Sequence, residues 1–246
     1  MTGADEGGTG QPFLRAFGIR RGDVVSLVGA GGKTSLLFRL AEEARAQGLK
    51  VLVTTSTRIF VPQPEQYDSL DLSGRLFSDT AITAPGIYVG GLPDSVAGKM
   101  RGVRDDLLAW QRKRFDLVLI EADGAAGRSL KGWNPTEPVI PEITTKTIGI
   151  VDIRTVGKII DEALVHRLEI FSELTGANRG ETLGIGHLLR LIFSEEGLFS
   201  KACGEELLFV NKVESAPDRR HADILRSQLE NLKIVAGSVC EGTIHA

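Results

Sequence analysis

The run Val24-Val25-Ser26-Leu27-Val28-Gly29-Ala30-Gly31-Gly32-Lys33-Thr34-Ser35 carries the residue types that hold a phosphate. An apolar, β-branched stretch ends at a glycine cluster, and Lys-Thr-Ser opens an amphipathic run. Gly29, Gly31 and Gly32 let the backbone take positive φ and come close to an anion. The N–H groups and dipole of a helix starting near Lys33 favour negative charge there. Lys33 is placed to reach β- and γ-phosphate oxygens, and the Thr34 hydroxyl to ligate Mg²⁺. Leu27 occupies the position where the phosphate-loop consensus has its first glycine. It sits at the strand's exit, away from the residues that face phosphate.

Three further strand ends carry polar clusters. Leu117-Val118-Leu119-Ile120 runs into Glu121-Ala122-Asp123-Gly124. A carboxylate just past a buried strand beside a phosphate loop holds Mg²⁺ or orients the attacking water. Spacing leaves open which of Glu121 and Asp123 does which. Leu207 to Val210 ends in Asn211-Lys212-Val213-Glu214, close to the Asn-Lys-x-Asp that reads guanine, with Glu214 one methylene longer. Thr54 to Thr57 and Arg58 end another strand, where hydroxyls could meet Mg²⁺ or phosphate and Arg58 could neutralise charge. Gly237-Ser238 is a further candidate base contact. Lys131, His166 and Arg167 are isolated polar residues without an assigned role.

These residues need a scaffold that brings strand ends together. Val24–Val28, Lys50–Thr55, Gly86–Gly90, Leu117–Ile120, Lys146–Val151, Leu207–Val210 and Lys233–Ala236 read as strands. Helices are expected after Gly32, over 107–113, 161–174, 188–193 and 218–229. Strands alternating with helices predict an α/β fold with a mostly parallel sheet covered on both faces. Such sheets bind ligands at the carboxyl ends of their strands. Residues 1–12 are Gly-, Thr- and acid-rich and are expected to be a disordered tail, with a single domain over 13–246.

Composition bounds the chemistry. The 246 residues are 42% hydrophobic and 25% charged with net charge −3, which gives no electrostatic reason to expect nucleic acid or an anionic membrane. Cys203 and Cys240 are too few and too far apart for a zinc site or a disulfide framework, and are expected to be buried thiols. No apolar run reaches the ~20 residues of a membrane span and no signal peptide is evident, so a cytoplasmic protein is expected.

Taken in order, Val-Gly-Ala-Gly-Gly-Lys-Thr-Ser at 28–35, Val-Thr-Thr-Ser-Thr at 53–57, Ile-Glu-Ala-Asp-Gly-Ala at 120–125 and Leu-Lys at 130–131 are followed by three more motifs. These are Glu-Pro-Val-Ile-Pro at 137–141, Val-His-Arg at 165–167 and Asn-Lys-Val at 211–213. The set resembles the YqeC family, accessory proteins of selenium-dependent molybdenum hydroxylases. The resemblance implies a P-loop NTPase-like fold akin to metallochaperone-type GTPases, with Mg²⁺ and GTP or ATP as cofactors. The implied partner is a client molybdenum hydroxylase or another cofactor-maturation protein. By position, Gly29, Ala30, Gly31, Gly32, Lys33, Thr34 and Ser35 would hold phosphates, Thr34 and Glu121 Mg²⁺, and Asn211 and Lys212 the base, with Glu214 standing where guanine readers have aspartate. Three readings follow: an Mg²⁺-dependent NTPase acting as a maturation factor, a small-molecule kinase or nucleotide-using cofactor enzyme with Asp123 as base, and a nucleotide-gated scaffold that hydrolyses nothing.

Overall fold

The computed structural model describes residues 12–245. The expected tail over 1–12 therefore lies outside the described residues, except Pro12, which opens the first helix. Nine strands form the main sheet: β1 (Val24–Gly29), β2 (Lys50–Thr55), β3 (Ser69–Asp71), β4 (Gly86–Gly90), β5 (Leu117–Glu121), β6 (Lys146–Asp152), β7 (Glu205–Asn211), β8 (Lys233–Ser238) and β9 (Thr243–His245). Their spatial order is β9-β8-β7-β6-β1-β5-β2-β4-β3, and every neighbouring pair is parallel except β8 with β9. The strand that leads into the glycine loop, β1, is central, between the acid-bearing β5 and β6.

Alternation along each strand sorts the core into two faces. Val25 and Leu27 of β1, Val51 and Val53 of β2, Leu117 and Leu119 of β5, and Leu207 and Phe209 of β7 face α1 (Pro12–Phe17) and α2 (Lys33–Ala46). The opposite faces of these strands meet other helices. Val28, Val151, Leu208 and Val210 pack under α4 (Leu168–Thr175), α5 (Ile185–Phe193) and α6 (Ala216–Gln228), and Leu52, Val118 and Ile120 under α3 (Asp105–Gln111). Strands buried on both sides read as near-continuous apolar runs, which is why the central ones were legible. The short α1 is held from outside itself. The Glu43 carboxylate of α2 accepts the Phe13 and Leu14 N–H groups at 3.1 and 2.9 Å, and Phe13 and Phe17 pack edge-on against Phe209 at 6.0 and 5.5 Å between centroids.

Three expectations change. The helix anticipated over 161–174 begins only at Leu168. Asp161 instead caps a turn through Ala163 and Leu164 N–H, Val165–His166 pairs with Leu130–Lys131, and Arg167 takes φ 59°, which a helix cannot contain. The stretch after Thr55, for which the sequence predicts only the Gly86–Gly90 strand before residue 107, also holds a small antiparallel ribbon of Arg58–Phe60, Leu92–Pro93 and Lys99–Arg101. The cysteines are not buried: Cys240 is exposed and Cys203 half-buried. Among the described residues no helix is long and apolar enough to cross a membrane.

Phe209→Ala removes the ring on which both α1 aromatics rest. Denaturant unfolding is expected to show a loss of about 3–5 kcal/mol, as for other buried Phe truncations. A loss below 1 kcal/mol would mean that α1 is not anchored there.

Candidate functional site

Parallel pairing brings the polar strand ends to one edge. Leu27 of β1 and Thr55 of β2 both align with Glu121 of β5, and Asp152 of β6 aligns with Asn211 of β7. The glycine loop lies across this edge with Gly29, Gly31 and Gly32 at φ of 100°, 83° and 137°. Space as well as backbone conformation demands glycine here. A Cβ on Gly31 would lie 2.4 Å from the Asp152 Cβ, and one on Gly32 2.2 Å from the Asn211 Nδ2. The loop therefore fits against two neighbouring strand ends, and α2 starts at Lys33 directly after it.

Lys33 is buried in the middle of the site. Its ammonium donates to the Gly29 carbonyl at 2.6 Å and lies 3.1 Å from Asp123 Oδ1 and 3.9 Å from Glu121 Oε1. Burial opposes its charge, but the Asp123 and Glu121 carboxylates outweigh burial and raise its pKa above that of an ordinary lysine. The Thr34 hydroxyl donates to Glu121 Oε2 at 2.7 Å. Burial pushes the Glu121 pKa up against the opposing pull of Lys33 and Thr34. A hydroxyl and a carboxylate thus meet at the first turn of α2, facing a cavity of about 500 Å³ lined by the loop, Arg58, Phe60, Lys99, residues 124–129 and Lys212.

Asp123 is fully buried. Its Oδ2 accepts from the Gly29 N–H at 3.0 Å and the Trp133 indole at 2.7 Å, and lies 3.2 Å from the Lys131 ammonium. Its Oδ1 accepts no well-directed hydrogen bond and faces Lys33. This carboxylate fixes the loop's first glycine and binds two lysines. Behind it, Lys131 donates to Glu137 at 2.7 Å and to the Gly124 carbonyl at 2.5 Å, and Arg167 grips Glu137 with two bonds of 2.6 and 3.1 Å. Burial opposes the Glu137 charge, yet the bonds from Arg167 and Lys131 dominate and lower its pKa to about 2. The His166 pKa is lowered by burial and by the neighbouring Arg167 and Lys131.

Asn211 is almost fully buried, and its side chain is used internally. Its amide donates to the Gly31 carbonyl at 2.8 Å, and its Oδ1 accepts from the Lys212 and Val239 N–H groups at 2.8 and 3.2 Å. Lys212, at φ 62°, pairs with Asp152 at 2.5 Å while lining the cavity. Glu214 receives Arg154 at 2.8 Å and the Ser238 hydroxyl at 2.8 Å, so Ser238 acts on Glu214. The Thr54 and Thr55 hydroxyls, expected at Mg²⁺ or phosphate, donate instead to the Gly90 and Glu121 carbonyls at 2.7 and 2.8 Å. Every other loop and acid residue singled out in the sequence lies at this edge. Trp133, Glu137 and Asp152 have no assigned role on sequence grounds, and Lys131 and Arg167 enter the site only through Glu137 and Asp123. Glu137 lies in a motif already distinctive in the sequence; Trp133 carries no periodic signal.

A family model described as YqeC protein matches residues 25–169, which take in β1 from Val25, the glycine loop, the Glu121–Asp123 strand end and Arg167. The chain belongs to the YqeC family. It is also 34% identical over 182 residues to "Uncharacterized protein YqeC" of Escherichia coli (strain K12), covering 73% of this chain and 71% of that one. Asn211, Lys212 and Glu214 lie beyond the family match.

The Glu137 charge is a stability term with a defined pH window. Its folded pKa of about 2 lies below the ordinary 4.5, so its contribution is complete above pH 4.5 and disappears as pH falls toward 2. Glu137→Gln is expected to cost about 2–3 kcal/mol at pH 7, with the gap to wild type closing below pH 4. A gap independent of pH in urea titrations would refute the charged bridge.

Proposed function

We propose that this protein binds an Mg²⁺-nucleotide, GTP or ATP, on the 29–35 loop and hydrolyses it as a maturation factor for a selenium-containing molybdenum hydroxylase. The observation that carries the nucleotide reading is the first turn of α2. There the Thr34 hydroxyl and Glu121 carboxylate meet at 2.7 Å beside a buried lysine, at the end of a positive-φ glycine loop. The P-loop NTPase-like fold is part of the same proposal, supported by the adjacency of β1 and β5 in a parallel sheet. The client is supported by the family resemblance.

The donor set suits Mg²⁺. Among the described residues no three His, Cys, Asp or Glu converge on one point, so an all-protein cage is not on offer. Mg²⁺ characteristically takes one or two protein oxygens and fills its remaining positions with phosphate and water. Thr34 and Glu121 would hold it. When bound, it supplies neutralisation of charge on the terminal phosphates. The loop N–H groups cradle the phosphates, and Lys33 exchanges its bond to the Gly29 carbonyl for a phosphate oxygen. Its raised pKa keeps it cationic throughout. Asp123, buried beneath the loop, sets the positions of Gly29 and Lys33. Its complete burial counts against its acting as base toward a substrate hydroxyl, and so against a kinase. The stem of Lys212 and the carboxylate of Glu214 are the proposed base contacts.

Equilibrium binding and phosphate release should be measured with Mg²⁺ and GTP or ATP. Lys33→Ala is expected to weaken nucleotide binding at least tenfold and to abolish turnover, and Thr34→Ala to remove the Mg²⁺ dependence of binding. Wild type that binds neither nucleotide would end the proposal, and binding without turnover, with the client present, would favour the gated scaffold. Glu214→Asp is expected to raise the GTP-to-ATP affinity ratio. An unchanged ratio would remove Glu214 from base reading.

A further inference from the structure

The ribbon beside the phosphate cavity has two unlike faces. Ile59 and Met100 are buried against the core, while Arg58, Phe60, Lys99 and Arg101 lie on the other face. Arg58 and Arg101 are direct cross-strand partners, as are Phe60 and Lys99, with the Lys99 ammonium 4.9 Å from the Phe60 ring centre. Like charges placed opposite each other in an antiparallel pair destabilise it. Three cations on one short ribbon are also out of keeping with a chain of net charge −3. Asp94 pairs with Arg58 at 2.9 Å and also feels the charge of Arg101, which makes no direct ion pair among the described residues, so one carboxylate serves two arginines.

The two arginines line a cavity of about 390 Å³ with Ser56, Thr57, Gly102 and Gly124. Arg58 and Gly124 also line the cavity at the phosphate loop, so the two spaces adjoin. Glu137 also lines it, and its charge is already matched by Lys131 and Arg167. The Ser56 hydroxyl already donates to the Val139 carbonyl and the Gly102 N–H to the Thr57 carbonyl, so the donors that the cavity offers an oxyanion are its two arginines. Its volume suits a small metabolite.

We infer that the Arg58–Arg101 cavity is the binding site for a second ligand, a small molecule bearing a phosphate or carboxylate group, seated beside the terminal phosphate of the bound nucleotide. The placement beside nucleotide rests on the proposed function; the oxyanion site itself does not. Arg101 provides the guanidinium that no carboxylate contacts directly, and Arg58 borders both ligands. The guanidinium pair is then stabilised by the anion that it binds.

The test is a titration of ¹⁵N-labelled protein with inorganic phosphate or acetate, first with the loop filled by Mg²⁺ and a non-hydrolysable nucleotide. Saturable shifts at the Gly102 and Gly124 amides are expected, with Gly31 and Gly32 unmoved. Arg101→Gln should weaken this binding at least tenfold, Arg101→Lys should restore part of it, and nucleotide affinity should stay within twofold. The anion with the higher affinity identifies the ligand's charged group. Absent or non-saturable shifts, or equal affinity in Arg101→Gln, would overturn the inference. So would a tenfold loss of nucleotide affinity in Arg101→Gln with anion binding intact, which would assign the arginines to the nucleotide. Repeating the titration without nucleotide separates the two ideas. Failure of the loop to hold phosphate appears at Gly31 and Gly32, while Gly102 and Gly124 report the arginine cavity.

Discussion

The ion pair between Lys33 and Asp123 is the interaction on which the rest of the site depends. A buried ammonium is tolerable only beside compensating charge. Asp123 supplies it at 3.1 Å, with Glu121 adding to it from 3.9 Å. Asp123 is itself buried, and is compensated by Lys131, the Trp133 indole and the Gly29 N–H. Lys131 is tied in turn to Glu137, and Glu137 to Arg167. A chain of alternating charges thus runs from the glycine loop to the start of α4, each member making the next one affordable in a low-dielectric interior.

This chain explains why loop, acid strand and α4 lie where they do. The short pairing of Leu130–Lys131 with Val165–His166, and the left-handed turn at Arg167, bring Lys131 and Arg167 to the same carboxylate. The turn is an uncommon conformation for arginine. The two hydrogen bonds to Glu137 provide the reason it persists. On the other side, Asn211 carries the same logic without charge: one amide joins the loop to the ends of β7 and β8. The glycine loop is thus clamped from both flanks, and its shape is set by the protein itself.

Much of this architecture was legible in the residues. The central strands read clearly because double-sided burial demands uninterrupted apolar runs, and β1, β2, β4, β5 and β6 were placed within a residue or two of their ends. The loop and both acids are local features, fixed by glycine and strand-end chemistry over a few residues. The ribbon after Thr55 and the late start of α4 were not legible. Strands of two or three residues carry no periodicity, and the Leu164, Leu168 and Phe171 spacing fits a helix whether or not its first turn exists. The thiols were misjudged for a similar reason, because a cysteine's burial depends on where its loop settles.

The sequence by itself determined an alternating α/β chain, a glycine loop entering a helix, and acid-bearing strand ends, because each is written in neighbouring residues. Only the tertiary structure decided what those residues do to each other. It directed Asn211 toward the loop, took Thr54 and Thr55 for backbone carbonyls, and gathered Lys131, Trp133, Glu137 and Arg167 behind Asp123. It also set Arg58 opposite Arg101. The physical reason is that electrostatic and hydrogen-bond partnerships are made across strands far apart in sequence, and burial, which sets their strength, exists only once the sheet is assembled.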